Sequence, residues 1–199
     1  MHATSVRVDE ECIRNSGKFL AAPDSATERG AVRLQLWTSL TPVQRAILGS
    51  DGSFTLLLTA LLGHEIKVAL MEQRIERLPR YDEAIGLERG AQVLDRNVRL
   101  YIEPERNVVF ASSIIAIDRI AKPIASDLLA GKETIGLVLR KHRLETFREL
   151  VDWGLAPTPD DAREYFPETE MMYRSYRIVS AASPVMIVTE FFDRRTFEL

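Results

Sequence analysis

Apolar residues follow two rhythms along this chain. Thr41-Pro42 opens the first clear helix, because Thr can cap free amides and Pro fits a first helical turn. Val43, Ala46 and Ile47 then share one face, and the Gly-Ser-Asp-Gly run at residues 49–52 breaks the helix. Ser53 or Asp51 can cap a second helix, whose Phe54, Leu57, Leu58, Leu61 and Leu62 recur at i, i+3 and i+4. After Gly63 the rhythm becomes alternation: Ile66, Val68 and Leu70 on one side, Lys67, Ala69 and Met71 on the other. That period of two predicts a strand ending near Arg74. Two more β-rich runs, 93–102 and 108–117, are joined by a polar connection short enough for a hairpin.

Pro123 opens a predicted helix that Gly131 ends, and Ile135-Gly136 leads into a short helical run reaching about Lys141. A further helix is predicted over residues 144–153. Residues 156–169 hold Pro157, Pro159, Pro167 and several acids, and read as a loop enclosing a short helix. Runs 171–181 and 185–192, separated by Ala182-Ser183-Pro184, predict a closing hairpin. Residues 1–35 mix charge with small residues and read as a loosely packed lead-in to one domain over 36–199. Hairpin-joined strands with helices grouped between them predict a single α+β domain, an antiparallel β-sheet with helices packed against it.

Composition narrows the chemistry. A chain of 199 residues, 46% of them hydrophobic, can bury one full core. Its net charge is −3 with basic and acidic residues interspersed, so no sustained positive field marks it for nucleic acid. Cys12 is the single cysteine, which leaves no intrachain disulfide and no thiolate cluster for a metal. His2, His64 and His142 fit no metal-ligand spacing, and neither a Gly-x-Ser-x-Gly elbow nor a phosphate-binding glycine loop is present. The N-terminus lacks a cationic segment followed by an apolar one, and no apolar run approaches membrane-spanning length. A cytoplasmic protein without a membrane partner is expected.

Two residues carry the sharpest chemical question. Glu190 ends a run apolar at both parities, Val185 and Ile187 against Met186 and Val188, so the strand is expected to be covered on both sides. A carboxylate there needs a partner, since burying it alone costs several kcal/mol or forces it to hold a proton. A salt bridge at a strand end is the plain alternative to a ligand contact. Arg99 shares a polar strand face with Asn97 and Tyr101, where a guanidinium can grip a carboxylate through two parallel hydrogen bonds or simply face solvent. Arg74, Arg174 and Arg177 are further strand-borne cations. Gathered with Arg99 on one sheet face, they would suit a ligand with more than one carboxylate; solvent-exposed sheet arginines are the equal alternative.

The order of several segments resembles the chorismate pyruvate-lyase family of 4-hydroxybenzoate synthases, in its divergent actinobacterial and archaeal-type branch. The resemblance runs from about Ser50 to Phe192. Its pieces are Gly52-Ser53-Phe54-Thr55, Glu72-Gln73-Arg74-Ile75 and Val98-Arg99-Leu100-Tyr101-Ile102, then the more specific 113–120, Ile135-Gly136 and 142–147. The most specific is the pair Tyr176-Arg177-Ile178-Val179 and 184–192, ending Thr189-Glu190-Phe191-Phe192. The resemblance implies a chorismate lyase-like fold that releases pyruvate from chorismate and leaves 4-hydroxybenzoate, with no cofactor and no metal.

It places a substrate-binding arginine at Arg99, a carboxylate contacting the ring hydroxyl at Glu190, and main-chain contacts at the helix starts Phe54, Thr55, Ile135 and Gly136. Arg74 is then the residue for the enolpyruvyl carboxylate. Phe54 stands where enterobacterial members have Met, Ile135 where they have Leu, and the arginine they carry in the strand near Ser112 is missing. The implied partners are chorismate and its product, with a monomer or homodimer as the assembly. Two alternatives are a non-catalytic binding domain, like the effector domains of some bacterial transcription regulators, and an enzyme giving another hydroxybenzoate isomer. Residues ahead of the matching region hold no clear helix-turn-helix, which such regulators would need.

Overall fold

The structure, a computed structural model, describes residues 28–104 and 106–198. Most of the lead-in lies outside the described residues; helix α1, Glu28–Ser39, begins the described chain and crosses position 35. Helices α2, Pro42–Gly49, and α3, Phe54–Leu62, follow. The Thr41 cap is real: its Oγ1 accepts from the Gln44 amide at 3.2 Å while the Gln44 side chain accepts from the Thr41 amide at 2.9 Å, a reciprocal capping box. Strands β1, Lys67–Arg77, β2, Gln92–Ile102, and β3, Arg106–Ile115, form an antiparallel meander. Helices α4, Lys122–Ala130, and α5, Ile135–Lys141, then lead to β4, Phe147–Pro157, β5, Glu170–Ser180, and β6, Ser183–Phe192.

The sheet order is β1-β2-β3-β6-β5-β4, with every neighbour antiparallel. Each half is a meander, and the halves join through β3 and β6 at the centre. The α+β expectation holds. One element does not: the helix predicted over 144–153 is largely the edge strand β4. The register of β4 shifts between Leu150 and Asp152, so Val151 is an extra residue in the ladder. That bulge breaks the period of two and leaves Leu150, Val151, Trp153 and Gly154 at spacings that mimic a helical face. Only pairing with β5 reveals the strand. The final hairpin turns through Ala181 and Ala182, with φ of 47° and 60°, both in the left-handed region that a tight two-residue turn demands.

The five α-helices among the described residues cover one face of the sheet, because Leu94, Val98, Leu100 and Ile102 alternate onto it from β2 and Met186, Val188 and Phe192 from β6. The first three helices pack Leu40, Ile47, Leu48, Phe54 and Leu58 against Leu100, Met172 and Phe192. The last two pack Ile124, Leu128, Val138 and Leu139 against Leu94, Tyr176, Met186 and Val188. A seam remains between the two groups. The opposite face is covered in part by the connection after β4, which sets Ala162 and Phe166 on Phe110 and Phe191.

Candidate active site

The seam holds a cavity of about 50 Å³. Its floor is the sheet: Arg96, Val98 and Leu100 from β2, Ala111 and Ser113 from β3, Val188 and Glu190 from β6, Tyr176 and Ile178 from β5. Its walls are the starts of two helices, Phe54 and Thr55 of α3 and Thr134, Ile135 and Gly136 at α5. Arg148 of β4 closes the rim. Glu190 thus lines the same cavity as Phe54, Thr55, Ile135 and Gly136.

Arg99 and Arg74 lie elsewhere. Strict alternation along β2 puts Arg99 on the opposite sheet face from Arg96, Val98 and Leu100. There its Nη1 donates to Asn107 at 2.7 Å and its guanidinium stacks 4.8 Å from the Tyr101 ring and 4.9 Å from the Tyr165 ring. It borders a larger groove of about 350 Å³, open to solvent and lined also by Glu72, Asp161 and Glu164. Arg74 is exposed and paired with Glu72, Glu76 and Asp95. Arg177 pairs with Glu149 at 2.9 Å. The four cations thus do not share one face, and of them only Arg174 joins Glu190.

Glu190 is 5% exposed, and each of its carboxylate oxygens accepts one hydrogen bond. The Arg174 Nε donates to its Oε2 at 2.7 Å, and the Tyr176 hydroxyl donates to its Oε1 at 3.0 Å. Arg174 is the cross-strand neighbour of Glu190 and is wholly buried. Its Nη1 also donates to the carbonyls of Ile47 at 2.6 Å and Ser50 at 2.8 Å, so it caps the end of α2. The guanidinium lies 4.0 Å over the Phe54 ring. Burial first, and the Glu190 carboxylate next, push the Tyr176 phenol well above its ordinary value, so it stays a donor. An ionised carboxylate accepts about four hydrogen bonds. Glu190 therefore keeps capacity for a ligand hydroxyl.

Arg96 is the cavity's other pole, and sequence reasoning missed it. It is 1% exposed, donates through Nη2 to the Glu133 carbonyl at 2.8 Å, and leaves Nε without a partner. Among the described residues it makes no ion pair. Burial pulls its guanidinium below the ordinary value, yet an arginine stays charged. A buried cation lacking an anion is costly unless a ligand supplies one. The signal was present: Leu94, Val98, Leu100 and Ile102 make an apolar strand face on which Arg96 is the only charge.

The cavity thus has a sheet floor with an unmatched guanidinium at one end and a carboxylate at the other, under a roof of helices. A family model described as chorismate pyruvate-lyase Rv2949c-like matches residues 48–198, and the chain belongs to that family, one of lyases. It is 29% identical over 165 residues to a chorismate pyruvate-lyase of Mycobacterium tuberculosis, covering 77% of this chain and 80% of that one. It is 27% identical over 161 residues to one of Mycobacterium leprae, covering 77% and 75%. Among solved structures the fold is similar to the effector domain of PhnF from Mycobacterium smegmatis, with TM-score 0.56, 14% identity and 71% and 88% of the two chains covered. The C-terminal domain of a histidine utilization repressor from Pseudomonas syringae gives 0.54 at 11% identity, over 68% and 96%. These share the fold. Among the described residues no helix is long and apolar enough to cross a membrane, and no group of His, Cys, Asp or Glu is arranged to hold a metal.

Proposed function

We propose that this chain removes pyruvate from chorismate to leave 4-hydroxybenzoate, in the cytoplasm and without metal or organic cofactor, using Arg96 and Glu190 as its two polar anchors. The observation that carries this reading is the buried Arg96, which faces the same cavity as Glu190 and lacks an anion of its own. In the sheet register Arg96 neighbours Ser113, Ser113 neighbours Val188, and Glu190 is two residues further on. Their Cα atoms are thus about 12 Å apart, from two strand spacings and a two-residue step, and side chains converging from that separation can hold the two ends of a six-membered ring.

The ring carboxylate pairs with Arg96 beside Thr134 and Ile135, the role the resemblance gave to Arg99. The ring hydroxyl bonds Glu190 beside Phe54. The ether C–O bond to the enolpyruvyl group then breaks, and the proton on the hydroxyl-bearing ring carbon leaves. Its electron pair completes the aromatic ring, and the departing enolpyruvate takes up a proton to become pyruvate. Aromatisation supplies the driving force, so positioning and fixed charge are what the protein must add.

Incubation of the purified protein with chorismate, with products separated against the three hydroxybenzoates, tests the reading. 4-Hydroxybenzoate with equimolar pyruvate is expected. Another isomer would keep the scaffold and change the reaction, while unchanged chorismate would favour a binding role like that of the effector domains sharing this fold. Arg96→Ala and Glu190→Gln are each expected to lower kcat/KM by about 100-fold or more.

A further inference from the structure

We infer that Arg148 is a substrate-orienting residue, holding the second carboxylate of the substrate, the one that departs with pyruvate. This rests on the reading above. The ligand proposed there carries two carboxylates, and the cavity offers two guanidiniums without anionic partners. Arg96 lies in the floor. Arg148 stands at the rim, half-buried, on the same cavity. Among the described residues Arg148 makes no ion pair; its contact is a long hydrogen bond, 3.4 Å, from Nη1 to the Asp51 carbonyl.

Its place suits the task. Asp51 precedes α3 and Gly136 lies in the first turn of α5, so Arg148 bridges the gap between the two helix groups where a side chain of a ring would project. A Cβ at Gly136 would come to 3.9 Å from Nη2, which puts the free edge of the fork against the wall of the cavity. Its charge also reaches the Tyr176 phenol that donates to Glu190, acting there to lower the pKa. An arginine fork takes a carboxylate through two parallel charge-assisted hydrogen bonds, fixing the plane of the group as well as its position. Arg74, expected from sequence to do this, is already shared among three carboxylates outside the cavity.

The product has one carboxylate and the substrate two, so the two arginines can be told apart. Arg148→Ala and Arg148→Lys would be compared with Arg96→Ala in three measurements. These are kcat/KM for chorismate, the Kd of 4-hydroxybenzoate, and the Kd of 3-(carboxymethoxy)benzoate, an inert ring bearing a second carboxylate on an ether arm. Removing Arg148 is expected to cost about 10- to 100-fold in kcat/KM and in diacid affinity. Binding of 4-hydroxybenzoate stays unchanged, and Lys recovers part of the loss. Arg96→Ala loses both ligands. Equal weakening of monoacid and diacid by Arg148→Ala, or no effect on either, would overturn the assignment. A wild-type protein that binds neither ligand and leaves chorismate intact sinks the functional reading itself, and the Arg148 assignment with it.

Discussion

Arg174→Met gives the sharpest test of how the site is built. Arg174 has no exposed surface, and Glu190 beneath it is 5% exposed. Removing one partner of such a pair strands the other charge, at about 3–5 kcal/mol. The carbonyls of Ile47 and Ser50 lose their donor as well, at about 1 kcal/mol each. A loss of about 5–7 kcal/mol is therefore expected at pH 7, a large share of the stability of a domain this size. Adding Glu190→Gln removes the stranded charge while keeping an acceptor for Tyr176, so the double variant should regain about 3–5 kcal/mol and stand about 2 below wild type.

The sign with pH follows. In the single variant a buried, unpaired Glu190 has its folded-state pKa raised above the ordinary 4.3 or so. The folded state then binds more protons than the unfolded one between those values, and stability falls as pH rises through that window. Urea unfolding followed by the fluorescence of Trp37 and Trp153, whose rings lie 5.1 Å apart, reads the transition. A double variant as unstable as Arg174→Met, or a single variant indifferent to pH between about 5 and 7, would refute the view that Arg174 neutralises Glu190.

Three further outcomes are expected. Arg99→Ala should leave kcat/KM within about 3-fold of wild type, because its guanidinium is held by Asn107 and two tyrosine rings on the far face; a loss as deep as that of Arg96→Ala would return the substrate-binding role to Arg99. Gly131→Ala should cost about 1–2 kcal/mol in unfolding free energy, since Gly131 ends α4 at φ +70° and an added Cβ would meet the Leu70 Cδ2 at 2.7 Å. An unchanged urea midpoint would count against that strain. Hydrogen bonds from Lys141 first and His142 second hold the Asp127 carboxyl below its ordinary 3.8. A carboxyl with a depressed folded-state pKa contributes stability above its unfolded value and loses it as pH falls through the folded one. Asp127→Asn should therefore flatten the acid side of the stability profile below pH 3.8, and a profile as steep as wild type would contradict it.

Local pattern determined much of this molecule. The Thr41 cap, the i, i+3, i+4 face of α3, the alternation of β2 and the apolar run ending in Glu190 are each set by neighbours within a few residues, and each was legible in the sequence. So was the arrival of Phe54, Ile135 and Gly136 beside Glu190, through the order of segments in the resemblance. What tertiary structure alone decided is where period and pairing compete. Val151 bulges β4 and gives a strand a helix's spacing, so Arg148 was read into a helix and its place at the cavity rim was hidden. Arg99 and Arg96 differ by three positions, an odd number, and an odd step along a strand crosses the sheet. Which of those two faces receives the helices is fixed by packing across six strands, and that packing gives the cavity Arg96 and leaves Arg99 to the tyrosines outside.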